Sequence, residues 1–118
     1  MKLKTECDKL WSECIKARAG YKSEISNKTE KLHSHHIMGK PNLSLRYDLD
    51  NGICLTAGEH FFGIHNQGRM FQYLERIKAV IGDDRWQRLQ IRRALKTKTL
   101  LETKEYLTIK LKQFKEAL

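Results

Sequence analysis

At 118 residues the chain has material for one domain, 1–118, and little for a second. Its 40% hydrophobic content supports a modest core and excludes a disordered tail, while 23 Lys+Arg against 14 Asp+Glu leave a formal charge of +9 that favours a polyanionic partner. The opening "MKLKTECDKLW" is charged and lacks the apolar centre of a signal peptide, and no apolar run reaches membrane-span length, so a cytoplasmic protein without membrane attachment is expected.

In chain order, residues 3–18 place Leu3, Cys7, Leu10, Trp11, Cys14 and Ile15 at helical spacing, and Gly20 is a plausible stop, giving an N-terminal helical unit over 1–20. Cys7 and Cys14 fall on one face of that helix and read as core. With Cys54 they make an odd number at spacings that match no disulfide framework, as in a reduced compartment. Residues 21–31 are polar and turn-rich. "LHSHHI" then reads as a short strand, "MGKPNLSLRYDLDNG" as a long loop of turn-forming residues, and "ICL" as a second strand. "TAGEHFFGIH" can start a helix with Thr56 as N-cap.

The remainder, 68–118, is a helical extension. Met70, Phe71, Leu74, Ile77, Val80 and Ile81 form one apolar face closed by Gly82. Asp83 or Asp84 can cap a helix containing Trp86, Leu89, Ile91, Ala94 and Leu95. A last helix over 100–117 carries Leu101, Tyr106, Leu107, Leu111 and Phe114. The fold class expected is α+β and mostly helical, in the order helix, strand, loop, strand, helix, then further helices.

Three of the five histidines fall within "HSHH", at 33, 35 and 36. Adjacent His35 and His36 on a strand point to opposite sides, so one can bind a metal while the other handles a proton. Metal-assisted phosphodiester hydrolysis needs that division, with a cation on the phosphate and a separate base for the attacking water. Downstream, "NGICLTAGEHFFGIH" supplies Asn51, His60 and His65. By default Asn51 beside Gly52 is a turn residue; in the functional reading its amide fixes the loop and helps orient the base.

With "HH" at 35–36, "DLDN" at 48–51 and histidines at 60 and 65, the sequence resembles the HNH endonucleases, and most of all small phage-encoded members. The motif region spans roughly residues 32–66, and the resemblance implies a ββα-metal core there. It implies His36 as general base, Asn51 as the residue that positions it, and His35 and His60 as metal ligands. His65 would be a third ligand, set one residue further from His60 than in colicin-type members. One divalent cation (Mg, Mn, Zn or Ni) is implied, and the imidazole-rich donor set leans toward a transition metal. Many HNH relatives also carry two CxxC pairs for a structural zinc. Ser23, Ser26, Thr56 and Glu59 stand at those positions here, so a four-cysteine zinc is excluded on ligand grounds.

The expected activity is metal-dependent hydrolysis of DNA, in a bacterial or phage-infected cell. Arg46, Lys40 and Arg69 are candidates for backbone contact, and Arg85, Arg88, Arg92 and Arg93 form a denser basic strip for the duplex. The C-terminal helices offer a surface for a homodimer. Two rivals stand beside this: a catalytically weak or inactive HNH-fold phage protein that binds DNA or protein, and a helical DNA-binding protein with a fortuitous histidine cluster.

Overall fold

The histidine-bearing strand lies between two helical layers, and its alternation decides which side chain faces which. The computed structural model describes residues 1–39, 41–60, 70–95 and 97–118, with the backbone alone at Met70, Phe71 and Tyr73. Among these residues the order is α1 (Leu3–Arg18), β1 (Leu32–His36), a 3-10 turn (Leu49–Asn51), β2 (Gly52–Thr56), α2 (Met70–Ile81), α3 (Asp83–Arg92) and α4 (Leu100–Glu116). Residues 57–60 open a further helical segment. The chain is thus α+β and mostly helical.

Most of these elements coincide with the sequence expectation for local reasons. Gly20, at φ 68°, ends α1 in a Schellman arrangement, with its N–H on the Ala17 carbonyl and that of Tyr21 on the Lys16 carbonyl. Thr56 Oγ1 accepts from Glu59 N at 3.1 Å, and Thr99 Oγ1 from Glu102 N at 3.2 Å, so both threonines act as N-caps. At α3 the outcome differs. Gly82 is the N-cap at φ 82°, without a side-chain bond, and Asp83 and Asp84 sit in the first turn, where they favour the helix dipole. That helix also ends at Arg92, leaving Leu95 outside it and exposed.

The strands pair antiparallel, Leu32 opposite Thr56, Ser34 opposite Cys54 and His36 opposite Gly52. Leu32, Ser34, His36, Gly52, Cys54 and Thr56 therefore share one face, and His33, His35, Ile53 and Leu55 the other. The first face meets α1: Cys54 and Leu32 join Trp11, Cys14, Ile15 and Leu107 of α4 in one core cluster, and Ser34 Oγ donates to Ser12 O. The second face builds a smaller cluster, Ile53 and Leu55 with Ile77 of α2, flanked by Ile25, Ile37 and Ile81.

Helix α4 closes the molecule along α1. The Cys7 and Cys14 thiols, both fully buried, donate to the Leu100 and Leu107 carbonyls at 3.3 Å. Burial pushes the Cys14 thiol up to about 11. Within the apolar stripe read for α4, Leu107 is buried and Leu111 and Phe114 pack on the core, while Leu101 and Tyr106 are exposed.

Candidate functional site

Strand period two sends His33 and His35 to one face and His36 to the other. His60, 27 residues beyond His33, comes over the first of these faces from the helical segment that Thr56 caps. The Nδ1 atoms of His33 and His60 lie 3.2 Å apart. The His35 ring packs edge-on against His60, with centroids 4.9 Å apart. Three imidazoles thus converge on one side of the sheet, among them His33, to which the sequence reading assigned no role. The signal for it was present, since His33 and His35 are two apart on a strand and must share a side. Among the described residues no group of three or more His, Cys, Asp or Glu side chains is set to enclose a metal ion; the close apposition of donor atoms is the His33–His60 pair. His65, together with the backbone-contact candidates Lys40 and Arg69, lies outside the described residues.

His36 occupies the opposite face, half-buried. Its ring lies flat on the indole of Trp11, centroids 3.8 Å apart and planes within 6°. Opposite it in register stands Gly52, where a Cβ would collide with Ile15 and lie 2.7 Å from Trp11 Cζ2. The missing side chain is what lets the indole lie close to the sheet. His36 Nε2 lies 2.9 Å from the Arg46 carbonyl, and a carbonyl only accepts, so the hydrogen is on Nε2 and the lone pair of the neutral ring is on Nδ1.

Asn51 is fully buried and organises the 38–45 loop. Its Oδ1 accepts from Met38 N at 2.7 Å, and its Nδ2 donates to the carbonyls of Met38 and Leu45 at 3.0 Å each. It does not touch His36 through these bonds. It acts one residue removed, holding the Leu45 carbonyl beside the Arg46 carbonyl that meets the imidazole.

Of the four positions at which the sequence resemblance would place zinc cysteines, Ser23, Ser26 and Thr56 gather around the carboxylate of the fourth, Glu59. Glu59 Oε1 accepts from Ser23 Oγ at 2.7 Å and from Thr56 N at 2.8 Å, and Ser26 adds a side-chain hydrogen bond. Burial pushes the Glu59 carboxyl up, but these donors outweigh it and hold the group below its ordinary value of 4.5. The polarity is the reverse of a zinc knuckle, with an anion ringed by donors in place of a cation ringed by thiolates. Nearby, Glu24 and Cys54 exchange two hydrogen bonds that tie the 23–26 turn to β2.

The arginines expected to grip DNA are largely engaged within the chain. Arg46 makes two bonds to the Asp8 carboxylate, at 3.0 and 2.9 Å. Arg85, 15% exposed, donates to the carbonyls of Asp50 and Gly52; Arg88 reaches Asp50, and Arg92 bridges Asp48 and Asp50. Burial raises the Asp50 carboxyl, yet Arg88 and Arg92 prevail and keep it below its ordinary 3.8. Arg18 adds bonds to the carbonyls of Leu49 and Gly52, and Trp11 Nε1 one to that of Asp48. The loop that carries Asn51 is therefore clamped from α1 and α3. Arg93 is exposed and, among the described residues, bonds Gln90 at 3.4 Å. A separate cleft of about 430 Å³, lined by Tyr47, Asp48, Asp50, Arg92, Lys98 and Tyr106 among others, contains none of the described histidines, and its carboxylates are already paired with Arg92.

Comparison of the chain with protein-family models, with curated proteins and with solved structures finds no match.

Proposed function

We propose that the protein is a metal-dependent endonuclease of HNH type that hydrolyses DNA phosphodiester bonds. The observation that carries the reading is the convergence of His60 on the histidine strand, 3.2 Å from His33 and ring to ring with His35, while the adjacent His36 leaves that strand on the other side. The gathering of Ser23, Ser26, Thr56 and Glu59 adds support, because these four positions meet as the zinc cysteines of HNH relatives would.

The donor set suits a divalent cation, since neutral imidazole nitrogens are ligands for Mn, Ni and Zn. Such a cation, when bound, supplies the charge that neutralises a phosphate and eases departure of the 3′-oxygen. The chain's own residues do the remaining work. His36 accepts the proton of the attacking water at Nδ1, the nitrogen left basic by the Nε2 bond to Arg46 O. Stacking on Trp11 fixes the ring plane, and Asn51 holds the loop whose carbonyl sets the tautomer. Duplex contact falls to Arg93 and the half-exposed Arg88, with Lys40 and Arg69 as further candidates.

The test is plasmid nicking by the purified chain with Mg, Mn, Ni or Zn. Nicking that needs metal and falls at least about a hundredfold in His36→Ala, the low end of the contribution of a general base, is the expected result. The inward engagement of Arg46, Arg85 and Arg92 favours a second reading, a DNA- or protein-binding module of the same fold with little or no cleavage. Retention of DNA by a wild-type chain that nicks with none of the four metals would establish that module instead.

A further inference from the structure

We infer that the strand ligand of the cation site is His33, acting with His60 through their Nδ1 atoms, and that the site takes a transition-metal dication in preference to Mg. The inference rests on the nuclease reading for what the ion does, while the ligand assignment stands on geometry. Two nitrogens each about 2.0–2.1 Å from a tetrahedral ion lie about 3.3 Å apart. The two Nδ1 atoms are 3.2 Å apart, held by a hydrogen bond between the rings, and this spacing matches that of two ligands once a cation replaces the shared hydrogen. His33 and His35 both pack edge-on against His60, with centroids 5.5 and 4.9 Å apart, and the nitrogen-to-nitrogen contact is that of His33.

Both ligands stand on anchored backbone. His33 is paired with Leu55 within the sheet, and His60 follows Glu59, whose N–H meets the Thr56 cap and whose carboxylate is held by Ser23. Such anchoring presets the distance between the donors. Two imidazoles leave coordination positions for water and for a phosphate oxygen, one more open position than a three-ligand zinc site has. A pair of nitrogen donors favours Ni, Zn or Mn over Mg, which prefers oxygen.

The test is calorimetric titration of the full chain with Ni(II) and with Mg(II), repeated for His33→Ala, His35→Ala and His60→Ala. Circular dichroism melts serve to check that each variant folds. Wild type is expected to bind Ni(II) more tightly than Mg(II). His33→Ala and His60→Ala should each weaken Ni(II) by about tenfold or more, the loss that even an outer partner of a ligand brings. His35→Ala should stay within about threefold, well short of that loss. As a readout that needs no variant, substoichiometric Ni(II) should broaden the imidazole NMR signals of His33 and His60 before those of His36. A loss in His35→Ala matching that in His33→Ala, broadening that spares His33, or no Ni(II) binding by wild type would overturn the assignment. Nicking assays separate the two claims: binding through His33 and His60 without cleavage by any metal sinks the nuclease reading alone. His36-dependent cleavage with Ni(II) affinity unchanged in His33→Ala sinks the ligand assignment alone.

Discussion

Asn51 shows how one side chain in this molecule does the work of a secondary-structure element. Its fully buried amide takes the Met38 N–H and the carbonyls of Met38 and Leu45, the last of which also accepts from Asp48 N. Asn51→Ala should lower unfolding free energy by on the order of 2–3 kcal/mol, the penalty for buried groups left unsatisfied, measured by urea denaturation. A loss below about 0.5 kcal/mol, the range of an ordinary surface change, would show that the loop is held by other means. The sequence reads Asn51 as a turn residue by default and, in the functional reading, as fixing the loop and orienting the base; its bonds reach Met38 and Leu45. That the effect reaches His36 by way of neighbouring carbonyls, and not by direct contact, depends on the loop's path. No spacing in the sequence encodes that path.

At the scale of elements, Gly52 governs how α1 meets the sheet. A Cβ there would run into Ile15 and Trp11, both almost wholly buried, so neither can yield without opening the core. Gly52→Ala should cost at least about 1–3 kcal/mol, the usual penalty of overpacking, and should disturb the Trp11–His36 stack. Thermal melting combined with near-ultraviolet circular dichroism of the indole band reads both effects; an unshifted Tm would show that α1 moves away freely. The arginine strip belongs to this scale too. Its spacing along α3 was legible, but the direction of its charge was not. Arg85, Arg88 and Arg92 face the carboxylates and carbonyls of residues 48–52, which lie over thirty positions earlier in the chain.

For the molecule as a whole, the depressed carboxylates Asp50 and Glu59 contribute to the acid limit of stability. Asp50 and Glu59 both titrate lower in the folded chain than their ordinary values of 3.8 and 4.5. Their contributions are therefore complete above those ordinary values and are lost as pH falls through the lower folded ones. The melting temperature should drop as pH falls below about 4.5, and Glu59→Gln should flatten part of that acid limb. An acid limb of the same steepness in Glu59→Gln and wild type would remove Glu59 from the account. The two groups join distant parts of the fold, Glu59 linking β2 to the 23–26 turn and Asp50 linking the β2 approach to α3. Acid should thus loosen both sides of the sheet together.

Local physics alone determined most of the helices and their glycine and threonine ends, together with the two short strands, though not the bounds of α3. Apolar periodicity, caps and turn residues act over a few positions and are written in the chain itself. Strand alternation likewise determined that His36 must part from His33 and His35. Only the tertiary structure decided that His60 meets His33 nitrogen to nitrogen, that the Glu59 carboxylate reaches Ser23 and Ser26, and that most of the arginine strip turns inward. Each of those contacts joins residues more than twenty positions apart, and such pairings are set by how the layers pack, which periodicity cannot express.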